Sequence, residues 1–394
     1  MNDKVVNSIK LLHCADIHLA APFTSMGISE GKSSIRRQDL KETFQKIVNL
    51  AGCENVDLLL ICGDLYEHGY INKSLIEFIN YSFSKIQKTK IIIIPGNHDP
   101  YISGSYYDSN KWSPNVTILS PDKPKTYFED LDTNIYFLGN SKFGFEYNSF
   151  ASVRSSNSST YSINILMAHG TLDMNIGPKN YNPINSRDID KLNMDYVAIG
   201  HFHKMFRDAG KGKNIFNPGS PEPLGFDEPG SHGVFLGTII KYYSSRSSID
   251  INFIPVARRF YENIEVKLDG CYADQQVVEK ISELLEGKNQ EQGLFNVILK
   301  GYAERGYRPD IPYILSFFKD KVFSIKIEDQ LKPDYNFNEL KEEPGIRGLF
   351  VRKMLALIES SKDETKRKEL EKALYYGMEA IDYGKVHVDL LGRE

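Results

Sequence analysis

The sequence predicts an α/β protein with more than one domain, and three observations support this. The chain has 394 residues, which at roughly 150 residues per domain suggests two or three domains. Hydrophobic residues make up 41% and charged residues 25%, close to globular averages, which excludes collagenous, disordered and disulfide-scaffold classes. Short apolar runs alternate with amphipathic stretches as far as residue 255, as is typical of an α/β domain.

Apolar runs and helical periodicity locate the elements of the first domain. Strands are predicted at residues 9–15, 56–62, 90–94, 133–138, 162–168 and 196–199, the first three of them buried on both faces. Helices are predicted between the first three strands, where apolar residues recur at helical spacing: Leu40, Phe44, Ile47, Val48 and Ala51, then Leu75, Ile79, Phe83 and Ile86. The Ser-rich stretch 149–162 is predicted to be a surface loop, and residues 234–243 and 249–256 a closing hairpin.

The pattern changes after Arg258. Strands at 260–268, 294–302 and 322–327 and helices at 273–286 and 311–319 are predicted to form a compact β-α-β-α-β unit. From Pro333 two or three helices follow, broken at Pro344-Gly345 and near residues 360–362. The predicted organisation is therefore a first domain at 1–256, a small α+β domain at 257–332 and a C-terminal helical region at 333–394.

Composition also limits the partners and the compartment. The net charge of −4 argues against a simple basic surface that coats nucleic acid, although a local groove or a bound metal could still hold phosphates. No apolar run approaches the roughly 18 residues of a membrane-spanning helix, and Asp3 and Lys4 lie where a signal peptide is uncharged. Cys14 and Cys62 lie in apolar strands, which favours free thiols. We expect a cytoplasmic protein with no membrane association.

Five polar clusters each follow a predicted strand directly. They are Asp16-Ile17-His18, Gly63-Asp64, Gly96-Asn97-His98-Asp99, His169-Gly170 and Gly200-His201-Phe202-His203. The carboxyl ends of strands in α/β sheets open onto the ligand crevice, so these side chains can converge on one point. Taken alone, each cluster is at least as often an ordinary turn as part of a functional site. Five clusters in this arrangement, however, predict a functional site.

The residue types of these clusters suit two divalent metal ions. Carboxylate, imidazole and amide ligands favour Mn²⁺, Fe²⁺ or Zn²⁺, and the absence of thiolates argues against structural zinc. Asp64 is the best candidate for a bridging ligand, and Asp16 and His18 can grip one ion together. The other histidines are weaker candidates: His13 is expected to pack in the core, His232 and His387 to lie at the surface, and His68 stays open.

Taken in order and spacing, these motifs resemble the signature of the calcineurin-like metallophosphoesterases. Within that superfamily, residues 12–19, the stretch Asn217-Pro218-Gly219-Ser220-Pro221-Glu222-Pro223 and Phe226-Asp227-Glu228 resemble the SbcD-type DNA repair exonucleases, including the YhaO-like branch. The resemblance covers the first 255 residues strongly and the remainder by layout. It implies a metallophosphoesterase β-sandwich flanked by helices, followed by a small capping domain that helps to position DNA and by C-terminal helices.

The resemblance also implies roles for individual residues. Asp16, His18, Asp64 and His203 would hold one metal ion, and Asp64, Asn97, His169 and His201 the other, with Mn²⁺ the usual ion in nucleases of this type. A metal-activated hydroxide would attack phosphorus in line, His98 would act as the catalytic imidazole, and Asp99 would orient and charge it. Glu67-His68 departs from the pattern of many members, which leaves the roles of these two residues open.

The implied function is a metal-dependent DNA nuclease of DNA repair or recombination. SbcD-type nucleases act on DNA with an SMC-like ATPase of SbcC type, and a homodimer is a further candidate assembly. The alternatives are a metallophosphoesterase that acts on small nucleotides or phosphoproteins, and a non-catalytic scaffold, which the full set of ligands disfavours.

The C-terminal helices are the candidate docking site for the ATPase. Two apolar stripes recur there at helical spacing: Ile346, Phe350, Met354, Leu357 and Ile358, then Leu370, Leu374, Met378 and Ile381. The competing interpretation is that these stripes pack against each other or against the capping domain.

Overall fold

A computed structural model describes residues 4–23, 30–139, 161–173, 182–303, 307–333 and 335–384. The chain divides into two compact units, Met1–Phe260 and Tyr261–Glu394. The finer division into three domains stays a prediction. None of the helices in these ranges combines the length and the apolar composition that crossing a bilayer requires.

Unit 1 is built on two six-stranded mixed sheets. Its strands are β1 (Val5–Cys14), β2 (Leu58–Cys62), β3 (Lys90–Ile94), β4 (Val116–Ile118), β5 (Lys125–Phe128), β6 (Thr133–Leu138), β7 (Ile163–His169), β8 (Tyr196–Gly200), β9 (Phe206–Ala209), β10 (Ile215–Asn217), β11 (Gly233–Tyr242) and β12 (Ser247–Pro255). The first sheet has the order β12-β11-β1-β2-β3-β4 and the second β5-β6-β7-β8-β10-β9. Strands β1 to β4 run parallel, as do β6, β7, β8 and β10, so the strands that precede the polar clusters point in one direction within each sheet.

Helices cover the outer faces of the two sheets. They are α1 (Glu30–Cys53), α2 (Lys73–Ser84), α3 (Tyr106–Ser109) and α4 (Ser186–Asp190), with a 3-10 turn at Glu129–Leu131. Helix α2 begins where the Asn72 side chain accepts a hydrogen bond from the backbone N–H of Leu75, which caps its first turn.

Alternation along the strands assigns side chains to separate core layers. On β2, Leu59 and Ile61 pack with Phe44 of α1 and Phe83 of α2, on the helical side of the first sheet. Leu58, Leu60 and Cys62 point the other way, into a cluster shared with β6, β7 and β8. The two sheets therefore pack face to face, and this confirms the predicted α/β sandwich flanked by helices.

Unit 2 combines a small sheet with five helices in its described residues. Its strands are β13 (Phe260–Lys267), β14 (Gly293–Lys300), β15 (Tyr302–Ala303), β16 (Ser324–Asp329) and β17 (Lys332–Pro333), and its helices are α5 (Asp274–Leu285), α6 (Ile311–Phe318), α7 (Phe337–Leu340), α8 (Ile346–Ser360) and α9 (Glu364–Tyr383). Strands β13, β14 and β16 form one sheet, and β15 pairs with β17. The β-α-β-α-β order matches the prediction, and the helices break where Pro344-Gly345 and residues 360–362 indicated.

The two C-terminal apolar stripes pack largely against each other. Phe350, Met354 and Ile358 of α8 share a cluster with Leu374 and Met378 of α9. Asp363 caps α9 by accepting hydrogen bonds from the first-turn backbone, and the helix ends at Gly384 with a left-handed φ of 65°. Three large apolar side chains of α8 remain exposed: Ile346, Leu349 and Leu357, at 73%, 48% and 51%.

The sequence prediction missed four short strands of unit 1: the edge strands β4, β5 and β9, and β10, which lies between β8 and β9. Strands β4, β5, β9 and β10 have only three or four residues each, which is too short for a period of two to stand out. The predicted Ser-rich loop lies almost wholly outside the described residues, as does His387.

Candidate metal centre

Three parallel strands of the first sheet, β1 to β3, and two of the second, β7 and β8, bring their carboxyl ends to one place, and the chain turns sharply there. Asp16, His18, Asp64 and His201 have φ values of 53°, 50°, 53° and 97°. Non-glycine residues seldom adopt this left-handed region, and such strain concentrates at functional sites. These turns direct side chains inward that regular strands would direct to alternate faces.

Glycines allow the neighbouring turns to approach each other closely. A Cβ on Gly63 would lie 2.2 Å from Nδ1 of His169, and one on Gly96 would lie 2.1 Å from Oδ1 of Asp64. No side chain fits at such distances without a shift of its neighbours. The Gly-Asp and Gly-Asn-His-Asp motifs therefore need glycine because of the space that the polar cluster occupies.

One donor group consists of Asp16, His18 and His203. The Nε2 atoms of the two imidazoles face each other at 3.1 Å, and Oδ1 of Asp16 lies 4.0 Å from Nε2 of His203. Asp16 and His18 are fully buried, and Asp16 also accepts the backbone N–H of His201. Potential ligand atoms of these three residues lie within 4.8 Å of one another, close enough to hold a single metal ion.

A second donor group consists of Asp64, His169 and His201. Oδ1 of Asn97 lies 3.0 Å from Nε2 of His169 and 3.0 Å from Nδ1 of His201, so its amide oxygen joins the same group. The structure thus places all seven predicted ligands in two adjacent groups.

Asp64 lies between the two groups. Its Oδ2 is 3.2 Å from Nε2 of His169 and 3.8 Å from Nε2 of His18. Its Oδ1 accepts a hydrogen bond from the backbone N–H of His98 at 2.8 Å. A carboxylate in this place can contribute an oxygen to both groups, as a bridging ligand must.

His98 belongs to neither of these two groups, and its side chain is 44% exposed. Its Nδ1 lies 2.9 Å from Oε2 of Glu67, whose Oε1 is 2.7 Å from Nδ1 of His18. The hydrogen bond to Glu67 raises the pKa of His98 against the opposing effect of burial. An accessible imidazole with a raised pKa beside two donor groups is suited to proton donation.

Asp99 was expected to orient and charge His98, and its charge does contribute to the raised pKa of His98, but its hydrogen bonds go to other groups. The Asp99 carboxylate accepts hydrogen bonds from the backbone N–H groups of Asp64, Leu65 and Gly96 and from the hydroxyl of Tyr107. These four donors tie the turns after β2 and β3 together. The carboxylate that orients His98 is that of Glu67.

Glu228 is a further contact that the sequence did not single out as a site residue. Its Oε1 lies 2.7 Å from Nδ1 of His203, and its Oε2 accepts hydrogen bonds from the Ser220 hydroxyl and the Leu224 N–H. The only signal for Glu228 in the sequence was the Phe226-Asp227-Glu228 motif.

Two histidines lie outside the donor groups. The expectation that His232 lies at the surface was wrong, because His232 is buried and contacts the backbone carbonyls of Ser220 and Glu228. His13 is buried, as expected, between Tyr196 and Ile199.

Burial and neighbouring charges shift the site pKa values in opposite directions. Burial and the adjacent His169 lower the pKa of His201 to about 4. Burial also acts to lower the pKa of His203, but the hydrogen bond to Glu228 and nearby carboxylates outweigh it and raise the pKa to about 9. Burial acts to raise the pKa of Asp64, yet His169 holds it below its usual range. The lowered pKa favours the ionised carboxylate, the form that could hold a metal ion.

The donor set fits a pair of divalent ions. Oxygen and imidazole donors in two adjacent groups with a carboxylate between them are the ligand types of Mn²⁺, Fe²⁺ or Zn²⁺. The left-handed turns and the glycine contacts hold these donors in place, which agrees with a site that is preorganised for its ions.

Comparisons with known proteins agree with this geometry. A family model described as calcineurin-like phosphoesterase matches residues 9–205. The chain is 28% identical over 241 residues to the uncharacterized metallophosphoesterase YhaO of Bacillus subtilis, covering 59% of this chain and 58% of YhaO. It is 25% identical over 229 residues to the SbcD component of the nuclease SbcCD of Staphylococcus epidermidis, covering 50% and 58%. It is 23% identical over 308 residues to the DNA double-strand break repair protein Mre11 of Sulfurisphaera tokodaii, covering 75% and 74%.

The first two of these alignments cover less than two thirds of the relatives' own length. The family match, by contrast, spans half of the chain and includes all five polar clusters. Members of this family use a dinuclear metal centre, and the two donor groups around Asp64 provide the residues for one. The chain therefore belongs to the calcineurin-like metallophosphoesterases.

Proposed function

We propose that the protein is a metal-dependent DNA nuclease of SbcD type that hydrolyses phosphodiester bonds. The observation that carries this proposal is the convergence of seven ligand side chains in two groups joined by Asp64. Similarity to the SbcD component of the nuclease SbcCD and to Mre11 supports DNA as the substrate.

In this proposal the ligands divide as the two donor groups indicate. Asp16, His18 and His203 hold one ion, Asn97, His169 and His201 hold the other, and Asp64 serves both. Two divalent ions, Mn²⁺ by preference, supply Lewis-acid activation and neutralise phosphate charge when bound. The chain's own part is to hold these ligands rigidly through the turns that Asp99 ties together.

His98 is the proposed catalytic acid. Its imidazole is partly exposed beside the candidate metal centre, and Glu67 orients it and favours its protonated form. Donation of that proton to the departing ester oxygen lets the leaving group depart as a neutral alcohol, because an alkoxide anion is a poor leaving group. The hydrogen bond to Glu67 then favours the return of a proton from water to the imidazole, which restores the acid.

We further propose that an SbcC-like ATPase is the partner and that the complex acts in the cytoplasm. The exposed side chains of Ile346, Leu349 and Leu357 on α8 support a docking surface for that partner. Six other apolar residues of the two stripes pack within unit 2: Phe350, Met354, Ile358, Leu370, Leu374 and Met378.

A digestion assay tests the function. Labelled linear duplex, single-stranded and hairpin DNA are incubated with the protein and Mn²⁺, with a chelator control. Metal-dependent cleavage of DNA supports the proposal. Turnover of small phosphodiesters or phosphoproteins without cleavage of any DNA would instead assign the alternative metallophosphoesterase activity.

A further inference from the structure

We propose that the ring of Tyr70 is a stacking platform for an unpaired nucleobase of the substrate, and that it gives the protein a preference for single-stranded over duplex DNA. This inference deepens the proposed function and rests on it for a phosphodiester substrate beside His98. It follows from the exposure of the Tyr70 ring, from the absence of a partner for it among the described residues, and from the turn that carries it.

Tyr70 differs from the other exposed tyrosines of unit 1. It is 62% exposed, and no described residue provides its side chain with a hydrogen bond, a ring contact or a cation. Single exposed aromatic residues are common on protein surfaces, so the place of Tyr70 in the fold decides its role. The other exposed tyrosines in the described part of unit 1 each have a partner: Lys85 lies 4.2 Å above the ring of Tyr81, Tyr127 donates to Asp132, and Tyr161 stacks on Tyr243.

The turn that carries Tyr70 also holds the proposed catalytic acid. The backbone N–H of Tyr70 donates to the carbonyl of Glu67 at 3.0 Å, which closes a β-turn over residues 67–70. Oε2 of Glu67 lies 2.9 Å from Nδ1 of His98, and the backbone N–H of His68 donates to the His98 carbonyl at 2.9 Å. A β-turn brings its first and fourth Cα atoms within about 7 Å of each other. The Tyr70 ring is therefore within reach of a nucleotide whose phosphate lies beside His98.

The backbone of this turn is fixed on both sides. Before the turn, the N–H of Glu67 donates to the carbonyl of Leu19 at 2.9 Å. After it, the N–H of Ile71 donates to the Glu67 carbonyl at 2.9 Å, and the Ile71 side chain packs against the core on the helical side of the first sheet. A tyrosine on a fixed backbone has only two side-chain torsions to order, so contact with a ligand costs little conformational entropy.

Stacking suits a protein with no excess of basic residues. The net charge of −4 provides no overall attraction for a phosphate backbone, whereas stacking of a base on an aromatic ring needs no positive charge and tolerates any base. In a duplex the faces of each base are covered by the neighbouring base pairs. Only an unpaired or terminal base has a free face for Tyr70, and the ring therefore favours single strands and unpaired ends.

The first test compares two small esters that release the same p-nitrophenol, thymidine 5′-(p-nitrophenyl phosphate) and methyl p-nitrophenyl phosphate. Only the first carries a nucleobase. Tyr70→Ala should lower kcat/KM for the thymidine ester by about 5- to 150-fold, the usual effect of losing one stacked base, and should leave the methyl ester unchanged. Tyr70→Phe should keep the wild-type values for both esters, because stacking requires the ring and not the hydroxyl.

Tyr81→Ala is the matched control, because Tyr81 is also 62% exposed but lies on helix α2 with Lys85 as its partner. This variant should change turnover of neither ester. On DNA, Tyr70→Ala should slow the cleavage of a single strand more than that of a blunt duplex of the same sequence. Equal losses for the two esters, or for the two forms of DNA, would overturn the inference, as would an unchanged rate with the thymidine ester.

A binding measurement separates this inference from the proposed nuclease activity. A short fluorescein-labelled oligothymidine with methylphosphonate linkages has an uncharged backbone and resists hydrolysis, so its fluorescence anisotropy measures binding to the chelator-treated full chain without turnover. Tyr70→Ala should weaken this binding by about 5- to 150-fold, and Tyr81→Ala should not change it. Binding that depends on Tyr70 in a protein that cleaves no DNA would support the inference and contradict only the nuclease activity. Cleavage of DNA together with binding that does not depend on Tyr70 would contradict only the inference.

Discussion

His98 offers the sharpest test of chemistry at the scale of single residues. His98→Ala should lower phosphodiester turnover by about 10²- to 10⁴-fold, the usual contribution of a general acid, while both metal ions are retained. Asp64→Ala should instead lose metal, because removing the carboxylate between the groups leaves two cations repelling each other. Metal content by mass spectrometry, measured beside a rate assay, separates these effects. Near-normal turnover by His98→Ala would rule out its assigned role.

The space around Gly96 provides a second residue-scale prediction. Gly96→Ala places a methyl group 2.1 Å from Oδ1 of Asp64, so the carboxylate must move away from its place between the donor groups. We expect bound metal to fall from two ions toward one or none. Gly69→Ala is the control, since no atom lies within 4 Å of its added methyl group. Equal metal content in the two variants would show that the site tolerates the displacement.

At the scale of elements, a buried histidine links the two sheets of unit 1. His13 of β1 contacts the Tyr196 hydroxyl and the Ile199 carbonyl of β8, and burial lowers its pKa to about 3. The unfolded chain gains a proton here below a pH of about 6.5, but the folded chain does not. Folding stability therefore falls as the pH drops from about 6.5 toward 3, by about 2 kcal/mol at pH 5 for this group.

The variant His13→Gln isolates this effect. It keeps a donor for the Ile199 carbonyl but has no titratable group. The free energy of unfolding of the wild type, relative to that of the variant, should therefore fall by about 2 kcal/mol between pH 7.5 and pH 5. Urea unfolding at several pH values measures this difference. Parallel pH profiles for the two proteins would show that His13 is not the group that titrates.

A buried ion-pair network joins α1 to the loop that precedes β11. Glu222 lies 2.7 Å from Arg36 and also accepts hydrogen bonds from the Thr43 hydroxyl and the backbone N–H of Arg258. Glu222→Ala should lower the free energy of unfolding of unit 1 by about 3 kcal/mol, because it removes a carboxylate from a buried guanidinium. Glu42→Ala breaks an exposed pair with Arg258 and should cost under about 1 kcal/mol. Chemical denaturation distinguishes the two, and equal losses would contradict a special role for burial.

At the scale of the whole molecule, the C-terminal helices form a cluster of their own. Its buried members, Tyr335, Leu340, Val351, Ile358, Leu374 and Met378, all lie after Pro333. A chain that ends at Pro333 should therefore keep unit 1 folded and keep metal-dependent cleavage of small phosphodiesters. It should no longer co-purify with an SbcC-like ATPase, because the exposed face of α8 is removed.

Co-expression with the ATPase and a small-phosphodiester assay on the same preparation check both halves of this prediction. Aggregation of the truncated chain would show that these helices belong to a larger core. Retained binding of the ATPase would place the docking surface elsewhere.

The sequence by itself determined the fold class and the candidate metal ligands. Continuous apolar runs located the buried strands, and polar residues directly after them located the candidate metal centre, because both signals depend only on local order along the chain. Asp64 could be identified as the central carboxylate in this way. The seven ligands converge because parallel strands end at the same edge of each sheet.

Only the tertiary structure decided which side chains support those ligands. Glu67 pairs with His18 across 49 residues, Glu228 pairs with His203 across 25, and Asp99 turns away from its neighbour His98 toward the backbone of the preceding cluster. These partners depend on the direction of side chains in left-handed turns and on contacts between distant segments. Hydrophobic periodicity predicts neither these directions nor these contacts. It shows which face of a helix or strand is buried, but not which hydrogen bonds form beyond the end of that element.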